Sequence, residues 1–271
     1  LIINSMSLKI VVLAKQVPDT RNVGKDAMKA DGTINRAALP AIFNPEDLNA
    51  LEQALRLKDA HPGSTVTILT MGPGRAAEVI REGMFRGADN GYLLTDRAFA
   101  GADTLATSYA LATAIRKIGE YDIIIGGRQA IDGDTAQVGP QISEHLGIPV
   151  ISYAQKLEVD GDSIVVERQY EDRYHVVKAK MPCLVTALAE LNEPRYMTPG
   201  GIFDAFQAEI TTWGRADLKD LDDANIGLKG SPTKIAKASD KVRKGAGEMF
   251  TLDPEAAAAY ITEKLQEKHI I

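Results

Sequence analysis

Hydrophobic positions in the first half of the chain form short apolar runs that alternate with longer stretches of helical spacing. The run KIVVLA at residues 9–14 is apolar after its first residue, which is typical of a strand buried on both faces of a parallel sheet. Leu51 and Leu55 then recur on one face of a helix that begins at Asn44 and Pro45, with Asn44 as its expected N-cap. These patterns predict a strand and a helix at the start of the fold.

The same alternation repeats along the next segments. Further strands are predicted at residues 65–71, 91–95 and 122–125, and further helices at 76–86 and 102–118. This regularity predicts an α/β fold with a doubly wound, parallel twisted sheet and helices on both faces. Ligands of such sheets bind outside the carboxyl ends of the strands, so the segments after the strands are the expected walls of a site, namely residues 15–20, 71–74 and 126–137.

A different pattern begins in the second half of the chain. Residues 156–159 and 163–168 flank an Asp-Gly turn and predict an antiparallel hairpin, with a third strand beside it at 174–180. Residues 182–187 return to a buried apolar run. From about residue 205 the core signal fades into a polar stretch, and a last helix is predicted at residues 252–268. The second half therefore adds antiparallel strands and an extended C-terminal arm to the parallel sheet.

The stretch GGRQAIDGDTAQVG at residues 126–139 is the strongest candidate for chemistry. It follows the apolar residues 123–125 and leads into a helical pattern, so it is a glycine-bearing turn between a strand and a helix. Such turns bind phosphate in α/β proteins, because unpaired N–H groups of the first helical turn point at the anion. Asp134 or Thr135 is the expected cap of that helix. The spacing matches no common phosphate motif, and a plain connecting turn remains the alternative.

Composition excludes several classes of function. A formal net charge of -6 argues against a nucleic-acid-binding protein, and no apolar run approaches the roughly 20 residues that span a bilayer. The single cysteine, Cys183, excludes an internal disulfide and a four-cysteine zinc site, and suits the reducing cytoplasm. The four histidines are scattered. We therefore expect neither a metal site nor an acid–base catalytic residue, and we leave the first five residues out of the fold argument as a leader remnant.

Four blocks of the chain together resemble the beta subunit of electron-transfer flavoproteins. They are VLAKQVPDT at 12–20, NPED at 44–47, GGRQAID at 126–132 and LNEPRY at 191–196. The resemblance runs in the right order from about residue 9 to residue 203, and four ordered blocks are far more specific than any one of them.

The resemblance implies a heterodimer with a larger alpha subunit that carries FAD, and an adenine nucleotide bound to this chain. It places Leu13 beside the base, with Asn44, Asp47 and Met71 nearby and Lys15 at the edge of the site. It places the phosphates along the glycine turn, with the binding residues Gly126, Gly127, Arg128, Gln129, Ala130, Asp132, Gly133, Asp134, Thr135, Ala136 and Gln137.

The family contains two kinds of beta subunit, and this chain resembles the bifurcating kind. A bifurcating subunit binds a second FAD that takes electrons from NADH. One electron goes to ferredoxin or flavodoxin, and one goes through the alpha-subunit FAD to an acyl-CoA dehydrogenase or reductase. A conventional subunit holds structural AMP instead. Gly133 and Ala136 leave room for a pyrophosphate and Thr135 offers a hydroxyl donor, although the same turn would also hold a single phosphate.

The resemblance also predicts how the chain meets its partners. Residues 6–205 would form the nucleotide- or flavin-binding domain with its hairpin and recognition loop, and residues 206–271 an arm and helix that pack on the alpha subunit. The loop would dock the acyl-CoA dehydrogenase through Glu193, Arg195, Tyr196, Met197 and Ile202. Met197 or Ile202 would take the place of the leucine that conventional members have near Pro199. Arg195 is expected to fix the loop by pairing with Glu193 or another neighbour.

Two readings from other classes remain as alternatives. An enzyme that activates its substrate with ATP is expected to carry a glycine-rich loop after the first strand, where this chain has no glycine at residues 14–18. A stress-type ATP-binding module is expected to carry a glycine-spaced motif before a late helix, which residues 126–139 match in part, and it would leave the polar tail unexplained.

Overall fold

The computed structural model describes residues 6–19, 40–233 and 247–271. The chain divides into two compact units, one that extends to residue 236 and one that begins at residue 237. The first unit contains the sheet and five helices of the described residues. The second contains one helix, Pro254–Glu267, whose N-cap Asp253 accepts a hydrogen bond from the backbone N–H of Ala256.

The strands of the first unit form two sheets. Their bounds are β1 Lys9–Leu13, β2 Gln16–Pro18, β3 Ala41–Phe43, β4 Thr65–Met71, β5 Asn90–Leu94, β6 Ile123–Gly127, β7 Val150–Asp160, β8 Ser163–Tyr170, β9 Arg173–Lys180, β10 Cys183–Ala187 and β11 Thr211–Trp213. The main sheet has the order β11-β5-β4-β1-β6-β10-β7-β8-β9, and β2 and β3 pair by themselves. Pairing is parallel from β11 to β7 and antiparallel from β7 to β9. The predicted α/β sheet with an antiparallel addition is therefore confirmed.

Helices cover both faces of this sheet, and each face has its own core. The helices are α1 Pro45–Ala60, α2 Ala77–Arg86, α3 Thr104–Ile118, α4 Val138–Leu146 and α5 Pro199–Gln207, with α6 Pro254–Glu267 in the second unit. Ile10 and Val12 of β1 belong to the cluster that includes α1 and α2, whereas Val11 belongs to the cluster that includes α3 and α4. Successive side chains of a strand point to opposite faces, so burial of all three explains why the run is continuously apolar.

The strand order creates a crevice at the middle of the sheet. The chain runs from β1 outward through β4 to β5, and then returns to β6 on the other side of β1. The connections after β1 and β6 therefore leave in opposite directions, which opens a crevice at their carboxyl ends. The glycine turn that follows β6 lies at this crevice.

Several features of the fold were not predicted from the sequence, among them the small sheet of β2 and β3. The strand β11 extends the sheet beside β5, and α5 forms within the expected docking loop. The interpretation that the core signal fades after residue 205 is wrong for Trp213, Leu218, Leu221 and Ile226, which are buried in one core cluster. These residues are isolated among polar neighbours, so neither helical nor strand periodicity reveals them.

Within the described residues, every helix is too short or too polar to cross a bilayer.

Candidate functional site

A cavity of about 410 Å³ lies at the carboxyl ends of β1, β4 and β6. Leu13, Leu69 and Met71 from the strands form its apolar floor, and the first turns of α3 and α4 also line it. Residues 126–139 form the remaining wall. A concave site of this size with an apolar floor and polar rim has the dimensions of a small-molecule pocket.

Asp47 ties the two central strands together beneath the cavity. Its carboxylate accepts hydrogen bonds from the backbone N–H of Lys15, after β1, and of Gly127, at the end of β6, each at 2.9 Å. Its side chain is 7% exposed. Burial raises the pKa of Asp47 to about 7, against the opposing effect of hydrogen bonds from Gly127, Lys15 and Asn44. Asp47 therefore holds the start of the glycine turn in register with β1.

Asn44 and Glu46 hold the next part of the turn. The Asn44 amide donates to the carbonyl of Gln129 at 2.9 Å and accepts from the N–H of Ile131 at 3.1 Å. Glu46 accepts from the N–H of Gln129 at 3.1 Å and pairs with Arg128 at 2.8 Å. Burial raises the pKa of Glu46, and Arg128 opposes that rise. The N-terminus of α1 is thus a clamp for residues 127–131.

This clamp corrects the expected role of Asn44. Asn44 does occupy the N-cap position of α1, but its side chain makes no cap hydrogen bond. The amide instead satisfies two backbone groups of the glycine turn, which a cap bond within α1 would not allow. The side chain of Asn44 in the NPED block therefore binds the glycine turn at Gln129, 85 residues away in sequence, and does not cap its own helix.

Gly127 is required by close packing against α1. A Cβ at this position would lie 2.5 Å from Asp47 Oδ1 and 2.8 Å from the Asp47 backbone nitrogen. Gly133 differs, because a Cβ there would meet no atom within 4 Å. The room that the sequence predicted at Gly133 is therefore present, and Gly133 is one of the residues that line the cavity.

Residues 133–137 line the cavity and include two left-handed backbone positions. Asp134 and Ala136 have positive φ angles of 49° and 52°. Left-handed residues in such turns make anion-binding concavities of backbone N–H groups. Asp134 accepts from the side chain of Gln129 at 3.0 Å, which steadies the turn from within.

The N-terminus of α4 is free of a side-chain cap. Gln137 is its N-cap and makes no cap bond, so the expectation that Asp134 or Thr135 caps this helix is wrong. Gln137 instead accepts from the hydroxyl of Thr104 at 2.9 Å, which links the first turns of α3 and α4. In contrast, Asp103 caps α3 by accepting from the N–H of Ala106. The uncapped N–H groups of α4 are consequently available to an anion.

Both cations that line the cavity have carboxylate partners. Lys15 Nζ lies 2.7 Å from Asp132, and Arg128 pairs with Glu46. A phosphate would therefore be bound mainly by backbone N–H groups and the α4 dipole. The exposed Lys15 can exchange its partner Asp132 for the phosphate. No group of histidine, cysteine and acidic side chains suited to a metal ion occurs among the described residues.

Most of the residues predicted for nucleotide binding come together at this cavity. Fourteen of them line it, namely Leu13, Lys15, Asp47, Met71, Gly126, Gly127, Arg128, Gln129, Ala130, Gly133, Asp134, Thr135, Ala136 and Gln137. Asn44 and Asp132 contact it through Gln129 and Lys15 instead. The sequence missed the wall after β5, with Phe99, Gly101, Ala102, Asp103 and Thr104. The sequence could have predicted this wall, because the segment also follows the carboxyl end of a strand. Threonine 20, predicted as part of the wall, lies outside the described residues.

The expected docking loop is anchored on α1. Arg195 donates from its backbone N–H and its guanidinium to Glu52, and it pairs with Asp59 at 2.9 Å. Its partners are therefore Glu52 and Asp59 and not Glu193. Ion pairing raises the pKa of Arg195 and lowers that of Glu52 against its burial. The segment before α5 is thus fixed at its base.

Apolar side chains project from this base into solvent. Tyr196 is 91% exposed, and Phe203 and Phe206 on α5 are 73% and 74% exposed. Met197 and Ile202, the predicted anchors, are exposed to about 40%. We call these five residues the α5 surface. Its two phenylalanines were missed from the sequence because α5 itself was not predicted.

Comparison with known proteins gives consistent matches. A family model described as the electron transfer flavoprotein domain matches residues 31–218. The chain is 53% identical to the electron transfer flavoprotein subunit beta of Clostridium acetobutylicum, over 97% of this chain and 100% of the relative. It is 48% identical to the caffeyl-CoA reductase-Etf complex subunit CarD of Acetobacterium woodii, with the same coverage. It is 45% identical to the acryloyl-CoA reductase electron transfer subunit gamma of Anaerotignum propionicum, again with that coverage.

Proposed function

The chain belongs to the family of electron transfer flavoprotein beta subunits, and on this premise we propose that it binds FAD and works in an NADH-driven, electron-bifurcating complex. The observation that carries the proposal is the cavity between α3 and α4, with its uncapped helix and open glycine turn. The complex contains an alpha subunit with a second FAD. Its location is the cytoplasm, in keeping with the buried free thiol of Cys183.

Bound FAD would supply the redox chemistry by taking two electrons from NADH and releasing them one at a time. One electron would go to ferredoxin or flavodoxin. The other would go through the alpha-subunit FAD to an acyl-CoA dehydrogenase or reductase. Two similar proteins carry names that place them with caffeyl-CoA reductase and acryloyl-CoA reductase. Those names support an acyl-CoA partner for this chain.

The residues at the cavity fit a dinucleotide. The backbone N–H groups of residues 135–138 and the α4 dipole suit the phosphates, whereas the N–H of Asp134 already donates to the carbonyl of Ala130. The open space at Gly133 leaves room for a second phosphate. Leu13 and Leu69 offer an apolar surface to the base. Structural AMP is the competing ligand, because a single phosphate would use the same helix start.

This chain contributes binding and orientation and no acid–base step. Asp47, Asn44 and Glu46 position the glycine turn through the contacts described above. The Lys15 side chain is half exposed, so it can rotate away from Asp132 and pair with a phosphate without entering the protein core.

We place the acyl-CoA dehydrogenase on the α5 surface. The anchored base at Arg195 and the exposed Phe203 and Phe206 suit a docking element, because monomeric proteins rarely leave several large apolar side chains together in solvent. The predicted arm, residues 206–271, supplies β11 and buried core residues to the first unit, so we place the contact with the alpha subunit on its last part, residues 247–271. Ile261 on helix α6 and Leu252 just before that helix support this role, because both are exposed in the second unit.

The test is reduction of ferredoxin by NADH with the purified heterodimer and its acyl-CoA dehydrogenase. We expect reduction only when the dehydrogenase and an unsaturated acyl-CoA acceptor are both present. A heterodimer that accepts electrons from the dehydrogenase but is not reduced by NADH would be a conventional carrier, and it would refute bifurcation.

A further inference from the structure

The cavity wall that follows β5 is held by a later part of the chain. Residues 226–233, which we call the strap, come after β11 and lie against residues 98–103. Ile226, at the start of the strap, is buried in the same core cluster as Trp213. The strap therefore belongs to the first unit, and its contacts determine how the wall is fixed.

Three backbone contacts bring the strap close to the wall. The N–H of Leu228 donates to the carbonyl of Ala100 at 3.0 Å. Gly227 has a positive φ of 55°, and a Cβ at this position would overlap the carbonyl oxygen of Ala98. A Cβ on Gly101 would lie 3.3 Å from Leu228 Cβ. The approach is close enough to require glycine at 227.

Ser231 is the polar centre of this contact. It is 3% exposed, and its hydroxyl accepts from the backbone N–H of Asp103 at 2.8 Å and donates to the carbonyl of Gly227 at 2.7 Å. The carboxylate of Asp103 in turn accepts from the N–H groups of Thr233 and Ala106, each at 3.0 Å. The strap therefore holds Asp103 by its backbone and by its side chain, while Asp103 also caps α3.

The residues held in this way lead directly to the proposed phosphate site. Gly101, Ala102, Asp103 and Thr104 line the cavity. The hydroxyl of Thr104 donates to Gln137 at the start of α4, where the phosphates are proposed to bind. A wall that was not fixed beforehand would have to be ordered when the nucleotide binds, and this cost lowers the apparent affinity.

We infer that Ser231 is a positioning residue for the adenine nucleotide, and that the strap holds the wall after β5 in the arrangement that binds it. This inference rests on the proposed function, because it requires an adenine nucleotide in the cavity. Ser231 does not line the cavity, so it acts through Asp103. Without its hydroxyl, the N–H of Asp103 loses its acceptor.

The test compares Ser231→Ala with Ser64→Ala, a control with the same buried hydrogen bonds. Ser64 is 5% exposed, and its hydroxyl accepts from the N–H of Leu8 at 2.8 Å and donates to the carbonyl of His61. It directly precedes β4, so it lies at the opposite edge of the sheet from the cavity. Each variant is purified as the heterodimer with the alpha subunit and freed of its nucleotide by dialysis. ADP binding is then measured by calorimetry, and stability by urea unfolding.

A buried N–H without an acceptor is costly enough that the dissociation constant for ADP should rise about tenfold in Ser231→Ala. Ser64→Ala should lose a similar amount of stability and bind ADP as the wild type does. Wild-type ADP affinity in Ser231→Ala would overturn the inference and leave the proposed function standing. Failure of the wild-type heterodimer to bind ADP would overturn the proposed function itself, and the inference with it.

A second pair of variants decides the matter if Ser231→Ala does not fold. Leu228 is 64% exposed, so Leu228→Ser should fold, remove the side chain beside Gly101 and raise the dissociation constant for ADP several-fold. Val176→Ser, at a valine of β9 that is 62% exposed, is the control and should bind ADP as the wild type does. Equal ADP affinity in Leu228→Ser and the wild type would overturn the inference.

Discussion

Replacing Asp47 by asparagine removes the buried carboxylate that joins the carboxyl ends of β1 and β6. Its oxygens accept from the N–H groups of Lys15 and Gly127, both at 2.9 Å. An asparagine presents one oxygen and one NH₂ group, so one of the two backbone donors would face another donor. A buried donor without a partner costs about 1–3 kcal/mol. We therefore expect Asp47→Asn to loosen the glycine turn and to weaken ADP binding.

The same substitution should change how stability depends on pH. The pKa of Asp47 rises from 3.8 to about 7 in the folded protein because the carboxyl is buried. Since the folded-state pKa is above the unfolded one, the stability that this group contributes is fully present below pH 3.8 and is lost as the pH rises through about 7. One pKa unit corresponds to about 1.4 kcal/mol, so this loss is about 4 kcal/mol.

Asparagine does not titrate, so Asp47→Asn lacks this loss. Relative to the wild type, the free energy of unfolding of the variant should therefore rise by about 4 kcal/mol from about pH 4 to about pH 8. Urea unfolding followed by fluorescence measures it, because Trp213 is the single tryptophan and is buried in the core of the first unit. Asp134→Asn, at an exposed carboxylate of the same turn, is the control and should follow the wild type. A pH-independent difference between Asp47→Asn and the wild type would refute the reasoning.

Three further outcomes follow from the geometry. Gly127→Ala should lower the free energy of unfolding by about 1–3 kcal/mol in thermal unfolding, because the added Cβ would overlap Asp47. Gly133→Ala is the control and should stay within about 0.5 kcal/mol of the wild type. Equal losses in the two variants would contradict the packing argument. Phe206→Ser should raise the KM for the acyl-CoA dehydrogenase without changing flavin content, and an unchanged KM would remove the α5 surface as the docking site. Burial raises the pKa of the Cys183 thiol to about 12, so a thiol reagent should label it only after unfolding, and rapid labelling of the native protein would contradict its burial.

The parallel sheet was predictable because its strands are buried on both faces. The continuous run at β1 and the strand–turn–helix pattern at residues 123–146 both carry their structure in local sequence. Most of the cavity followed from one topological rule, since loops after parallel strands meet at one edge. The wall after β5 obeys the same rule and was overlooked.

The remaining features depend on contacts between distant residues. Asn44 has the sequence features of a helix cap, and only the approach of residues 129–131 to α1 gives its amide other partners. The need for glycine at 127 arises in the same way, from Asp47 across the crevice. Trp213 becomes a core residue by stacking on Tyr92 of β5, at 4.3 Å between ring centroids. None of these pairings leaves a local pattern.

The central claim is that this chain carries FAD and not AMP. It is tested most directly by releasing the bound nucleotides from the purified heterodimer and measuring FAD and AMP against protein. The account predicts two FAD and no AMP per heterodimer. One FAD and one AMP would contradict it.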